Sequence, residues 1–371
     1  MDLVERVNAA VDAALVNRVV GCVILVNKDG EEVYGRAAGL ADREADVAMG
    51  RDAIFRLASV TKPIVATAVL RLVELGQLGL NDRVSRYLPW FTPASPDGSL
   101  ADIQIRHLLS HTSGLSYDLL PPDATSGSFG IINSLKQTLT NIAKVPLAFA
   151  PGTGWTYGTS IDVLGGVLAA INGSNVEDAV AAYVTEPLGM TDTHFYLTDP
   201  ARLTAAYADG NPPVRMGEPH IMRDVNDTVV GRFSPGRILN PAAPQNGGSG
   251  MAGTADDVMT LLEVYNARPG LLEPATVAMA LSNQIGDLPR RAGDAGKRFG
   301  FLGAVLADPV AAGNPCPVGT VDWGGVWGHN WVVDRVNRMT IVVCTNTTFE
   351  GCNGPFRDDI LHAVYGAPAH D

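Results

Sequence analysis

Residues 55–63 read Phe-Arg-Leu-Ala-Ser-Val-Thr-Lys-Pro, and Pro63 decides how they fold. Proline has no N–H to donate, so it belongs in the first turn of a helix. Ser59 then stands at the start of that helix. The spacing of Ile64, Val65, Ala68, Leu72 and Leu75 carries it over residues 60–75, and Gly76 supplies the stop. Lys62, three residues after Ser59, shares its face. A serine at a helix N-terminus sits among N–H groups that favour developing negative charge. An amine within reach can take the hydroxyl proton if burial or a neighbouring cation lowers its pKa. The plainer reading is a capping serine followed by a solvated lysine. It has to explain a lysine on a helix whose faces are nearly all apolar, where a buried ammonium is costly. The chain has only five lysines: 28, 62, 136, 144 and 297.

Two later stretches have the same dual character. Pro151-Gly-Thr-Gly-Trp-Thr-Tyr157-Gly-Thr159-Ser160 presents Tyr157 after a glycine-rich turn and before a helix. A phenol there can shuttle a proton in a cleft, or the ring can simply pack. Asp322-Trp323-Gly324-Gly325-Val326-Trp327-Gly328-His329 puts two glycines inside a strand pattern. This marks either the close approach of a ligand or backbone, or a bulge covered by aromatics.

Around these stretches the chain is organised from its ends. Residues 2–17 have helical spacing. Apolar runs flanking Lys28-Asp29-Gly30 predict a hairpin, and a second hairpin is predicted around Arg335–Arg338. Residues 355–365 close the chain as a helix. The middle reads as mostly helical, with helices at 131–143, 160–171, 176–183, 255–267 and 274–282 and loops at 92–99, 121–130, 208–219 and 286–297. The expected fold is α+β: a mainly antiparallel sheet flanked by helices, built from residues 1–79 and 295–371, with a mostly helical domain inserted over 80–294.

Composition removes several function classes. The 371 residues are 46% apolar and 18% charged, which excludes disorder as the main state. A net charge of −12 argues against a phosphate-neutralising surface, so no nucleic-acid partner is expected. No apolar run approaches a membrane span, and residues 1–18 lack the features of a signal peptide, so the cytoplasm is the expected location. Cys22, Cys316, Cys344 and Cys352 form no CxxC pair and fit buried thiols, although pairing stays open. There is no Gly-x-Ser-x-Gly elbow. The histidines at 107, 111, 194, 220, 329, 362 and 370 show no metal spacing. Neither metal nor cofactor is expected. His111 reads as a loop anchor, and His329 is as readily structural as cleft-facing.

Ser59-x-x-Lys62, Tyr157 and the glycine-containing strand at 322–329, in that order, resemble the serine β-lactamase and penicillin-binding-protein superfamily. His111-Thr-Ser-Gly-Leu115, Pro187-Leu-Gly-Met190, and Gly250-Met251 with Asp256-Asp257 are similar to class C β-lactamases, and above all to the family VIII carboxylesterases. The likeness covers nearly the whole chain. It implies Ser59 as nucleophile, Lys62 and Tyr157 as a proton relay, and an oxyanion hole made by the N–H groups of Ser59 and Val326. It also implies Tyr117 as an active-site tyrosine.

The departures are informative. Thr159 stands where class C enzymes have the asparagine of Tyr-x-Asn, and Trp323-Gly324-Gly325 replaces Lys-Thr-Gly. The cationic anchor for a substrate carboxylate is therefore gone. Tyr117, Trp323 and Trp327 would line the cleft with aromatic surface, with Gly324, Gly325 and His329 beside them as further substrate contacts. The expected activity is hydrolysis of neutral short-chain acyl esters through an acyl-enzyme, with a small-molecule ester as the partner and few groups for a carboxylate. The alternatives are a β-lactamase- or peptidase-like hydrolase, an acyltransferase, and a non-catalytic binding module.

Overall fold

The computed structural model describes residues 1–121, 133–197, 199–223, 226–268, 270–291 and 293–366. Its centre is an eight-stranded antiparallel sheet assembled from both ends of the chain. Across it run Lys297–Phe299, Ala304–Leu306, Val321–Gly325, His329–Asp334, Met339–Thr345, Gly21–Lys28, Glu31–Asp42 and Val47–Ala48. Gly21–Lys28 is central because nearly all its side chains are buried. Its alternating residues feed two cores. Val23 and Leu25 point to one face, and Cys22, Ile24 and Val26 to the other. The first hairpin turns on Asp29 and Gly30, both with positive φ (55° and 82°), as a type I′ turn requires.

Helices Leu3–Leu15 and Pro355–Tyr365 pack together on one face. Arg6 Nε donates to Ala363 O at 2.7 Å, which ties the chain ends to each other. Asp2 starts the first helix with a capping box to Glu5. On the opposite face lies the larger core. Ala255–Glu263 packs on Met339–Thr345 and Gly21–Lys28, and Thr61–Glu74 packs on Ser160–Asn172 and Val176–Val180.

The helical middle differs from the expectation in detail. The helix expected over 131–143 runs Leu135–Ala143, capped by Ser134, whose Oγ accepts from Gln137 N at 3.1 Å. Residues 131 and 132 lie outside the described residues, as do 122–130 of the loop before them. The helix expected to end at 183 continues through a π turn, Ala181–Thr185, to Leu188, and Gly189 stops it at φ 68°. The helix expected over 255–267 ends at Glu263. A short hairpin, Tyr207–Ala208 with Val214–Arg215, occupies most of the stretch 208–219 read as loop, and a second, His220–Arg223 with Val229–Phe233, follows it. Their strands are short, partly exposed and broken by proline and glycine, so they carry no clean alternation. No helix among the described residues is long and apolar enough to cross a membrane.

Candidate active site

The helix Thr61–Glu74 is preceded by a single 3-10 turn, Ala58–Val60, so Ser59 lies one turn before the α-helix proper. Ala58 holds φ 45°, a left-handed conformation that costs an alanine on the order of 1 kcal/mol. The turn is clamped from both sides. Leu57 N donates to Met251 O at 2.9 Å, and Gly325 lies so close that a Cβ there would sit 2.4 Å from Leu57 O. Only glycine lets the Val321–Gly325 strand reach the serine turn.

Ser59 Oγ receives two hydrogen bonds. Tyr157 OH donates to it at 2.7 Å and Lys62 Nζ at 3.1 Å. Lys62 is 4% exposed and donates also to Gly248 O at 2.6 Å. Its ammonium lies 4.7 Å from the Tyr157 ring centroid and 5.8 Å from that of Tyr117. Trp323 Nε1 donates to Tyr157 OH at 3.2 Å, so the phenol oxygen accepts one bond while giving another. Beneath Lys62, Asp162 is buried and its Oδ1 accepts from Gly248 N at 3.1 Å. Burial raises the Asp162 carboxyl above its ordinary range, and the nearby Lys62 charge pulls the other way.

The Tyr157 ring is fixed on several sides. It stacks on His111 (4.9 Å between centroids), Trp323 (5.0 Å) and Tyr117 (5.6 Å). His111, expected to fix the loop after helix 103–110, is buried, with φ 58°, and its carbonyl accepts from Thr156 N at 3.1 Å, so it also anchors the tyrosine loop. Burial first, and then the charges of Lys62, Arg291 and Arg290, push the His111 pKa well below normal and leave a neutral ring. Ser59 and Val326 both line the cleft, and their backbone N–H groups make no hydrogen bond among the described residues.

The cleft in front of Ser59 measures about 330 Å³ and is lined by Tyr157, Trp323, Gly324 and Val326. Of the other expected contact residues, Tyr117 stands against Tyr157 and is 38% exposed. Trp327 turns into an adjacent pocket, where it packs on Phe233. Gly325 and His329 do not contact the cleft. Gly325 faces Leu57, and His329 is 1% exposed with Nε2 donating to Arg56 O at 2.8 Å. A carbonyl only accepts, so that nitrogen carries the proton. Burial lowers the His329 pKa to about 4. It ties the strand His329–Asp334 to Arg56, three residues before Ser59.

The expectation of few groups for a carboxylate also fails. Arg290, Arg291, Lys297 and Arg357 line the cleft with Asp294 and Asp322. Burial alone would raise Asp322, but Lys297 at 3.7 Å and Arg357 outweigh it and hold the carboxyl below its ordinary range. Sequence reading missed these residues, and also Gly248, Asp162 and Asn330, whose Nδ2 donates to Trp323 O at 3.0 Å. The glycines at 247, 248 and 250 were a usable signal for a tight loop near the site. No spacing pairs Asp162 with Lys62. Thr159, at the departed asparagine position, is buried and does not line the cleft.

The profile of the family described as Beta-lactamase matches residues 7–364. The chain belongs to the beta-lactamase family. It is 45% identical over 374 residues to Esterase EstB of Burkholderia gladioli, covering 98% of this chain and 95% of that one. It is 29% identical to the lovastatin esterase of Penicillium rubens, covering 89% of each. Among solved structures, EstCE1, described as a hydrolase with promiscuous acyltransferase activity, superposes with a TM-score of 0.92 at 38% identity, over 98% of both chains.

Proposed function

We propose that this beta-lactamase family member is a serine carboxylesterase that hydrolyses short-chain acyl esters, neutral ones among them, through an acyl-enzyme on Ser59. The observation that carries the reading is that one hydroxyl, Ser59 Oγ, accepts from both Lys62 Nζ and Tyr157 OH. Attack on the ester carbonyl forms the Oγ–C bond while the serine proton passes into the Lys62–Tyr157 pair. The developing oxyanion is received by the Ser59 and Val326 N–H groups, a type of contribution typically worth a few kcal/mol. Tyr157 hands a proton to the leaving alkoxide, and the C–O bond breaks. The same pair then deprotonates a water that releases the acid. The Trp323 indole supports this cycle by donating to the oxygen that carries charge while the proton is in transit.

Esterase relatives at 45% and 29% identity support an ester over a β-lactam. So do the indole and the buried Thr159 at positions where β-lactamases carry polar anchors. The partner is a small ester. The four free thiols, three of them buried, support the cytoplasm as its compartment. A fluorophosphonate probe should label Ser59 stoichiometrically. The specificity constant for 4-nitrophenyl butyrate should exceed that for nitrocefin; a larger value for nitrocefin removes the esterase assignment.

A further inference from the structure

A second pocket of about 200 Å³ lies on the far side of Val326 from the cleft, and Ala58, Met251 and Ser249 also line it. It is a direct neighbour of the reacting centre. Ala58 precedes the nucleophile, Val326 offers a proposed oxyanion donor, and Ser249 follows the glycine whose carbonyl holds Lys62. The three substituents of the ester carbon can be assigned by elimination. The carbonyl oxygen takes the two N–H groups. The leaving oxygen faces Tyr157, in the cleft with Trp323. With the leaving group in the cleft, the acyl chain would be left to the wall of Ala58 and Val326, which lines this pocket.

The pocket's walls combine apolar surface from Trp327 and Phe233 with guanidinium groups. Arg56 donates through Nε to Pro235 O and through Nη1 to Thr204 O, both at 2.7 Å, and its Cζ lies 5.6 Å from the Trp327 ring centroid. Arg237 donates to the Pro244 carbonyl. Neither forms an ion pair with a carboxylate among the described residues. The acids that act on them electrically are engaged elsewhere. Glu218 accepts from Ser234 Oγ at 2.5 Å and from Gly236 N, and Asp162 accepts from Gly248 N. Arg56 is sufficiently desolvated that its pKa falls to about 10. Two cations buried against carbonyl oxygens, with no carboxylate in ion-pair contact among the described residues, make a site for an anion at the end of an otherwise apolar chain.

We propose that this pocket is the acyl subsite and that Arg56 and Arg237 make it select acyl groups ending in a carboxylate, so that monoesters of short dicarboxylic acids are preferred over neutral esters of the same length. The proposal rests on the ester-hydrolase reading above and adds the chemistry of the acid half.

Mono(4-nitrophenyl) adipate and methyl 4-nitrophenyl adipate carry the same acyl chain with its far end charged or capped. The wild-type enzyme should show a specificity constant about tenfold larger for the charged ester at low ionic strength. The ratio should shrink as salt is added and approach one in Arg237→Gln, whose amide can still donate to Pro244. A wild-type ratio at or below one overturns the proposal. Calorimetry on Ser59→Ala, which needs no turnover, should show monomethyl adipate binding about tenfold tighter than dimethyl adipate; equal or weaker binding also overturns it. If wild type hydrolyses neither ester, nor 4-nitrophenyl butyrate, the esterase reading falls on its own, and calorimetry alone decides the anion site.

Discussion

At the level of single residues, Tyr157 links the most contacts. It donates to Ser59, accepts from Trp323 and stacks on His111. Tyr157→Phe keeps the ring packing and removes the oxygen, so kcat for 4-nitrophenyl butyrate should fall by about 10²–10⁴ with the melting temperature little changed. Stopped-flow release of nitrophenolate checks whether acylation itself is lost. His329 gives a different kind of test. Its folded pKa, about 4, lies below the ordinary value of 6.5. Above pH 6.5 both states are neutral and nothing is lost. Between 6.5 and 4 the unfolded chain takes up a proton that the folded chain refuses, so stability falls as the solution is acidified, by roughly 1.4 kcal/mol for each tenfold rise in proton concentration. His111, also buried and depressed, adds to the same trend. His329→Gln retains a donor for the Arg56 carbonyl, and urea midpoints for it should depend less on pH between 4 and 6.5 than those of wild type.

Among the elements, the strand Val321–Gly325 matters through what it touches at each position. Trp323 faces Tyr157, and Gly325 faces the serine turn. Trp323→Phe keeps an aromatic wall and loses the indole donor, so kcat should drop by about tenfold with KM for neutral esters nearly constant. Steady-state kinetics over several acyl lengths separates that outcome from a change in selectivity. Gly325→Ala would force a methyl carbon against the Leu57 carbonyl and should abolish labelling of Ser59 by a fluorophosphonate.

Much of this was legible beforehand. Pro63 fixed where the helix begins, and the doubled glycine marked a close approach before any partner for it was known. The hairpin at Lys28–Gly30 followed from its turn residues. What stayed hidden depends on contacts between segments far apart in the chain. Gly248 meets Lys62 across 186 positions, and the arginines at 290 and 291 enter the cleft from a loop with no periodic pattern. His329 was undecided because burial, and not residue type, determines whether an imidazole serves a site or a core.

The whole molecule divides its tasks across the sheet. The face carrying Leu3–Leu15 and Pro355–Tyr365 reaches the site only through Arg357, and its core includes Phe356, which is fully buried. Phe356→Ala should cost about 3–5 kcal/mol of folding stability. It should leave kcat per folded molecule near wild type, as urea melts and active-site titration with a fluorophosphonate would show. The pairing of Gly21–Lys28 with Met339–Thr345 also has a consequence during synthesis. At translation speeds of roughly 5–20 residues per second, the first strands leave the ribosome on the order of ten to fifty seconds before the strand Lys297–Phe299. Through that interval the largely buried strand Gly21–Lys28 has only its own hairpin partner and no fully formed sheet. The nucleophile's turn also lacks the strand that clamps it. A nascent or prematurely terminated chain therefore carries Ser59 without an assembled catalytic centre, and one edge of Gly21–Lys28 stays unpaired until the C-terminal strands arrive.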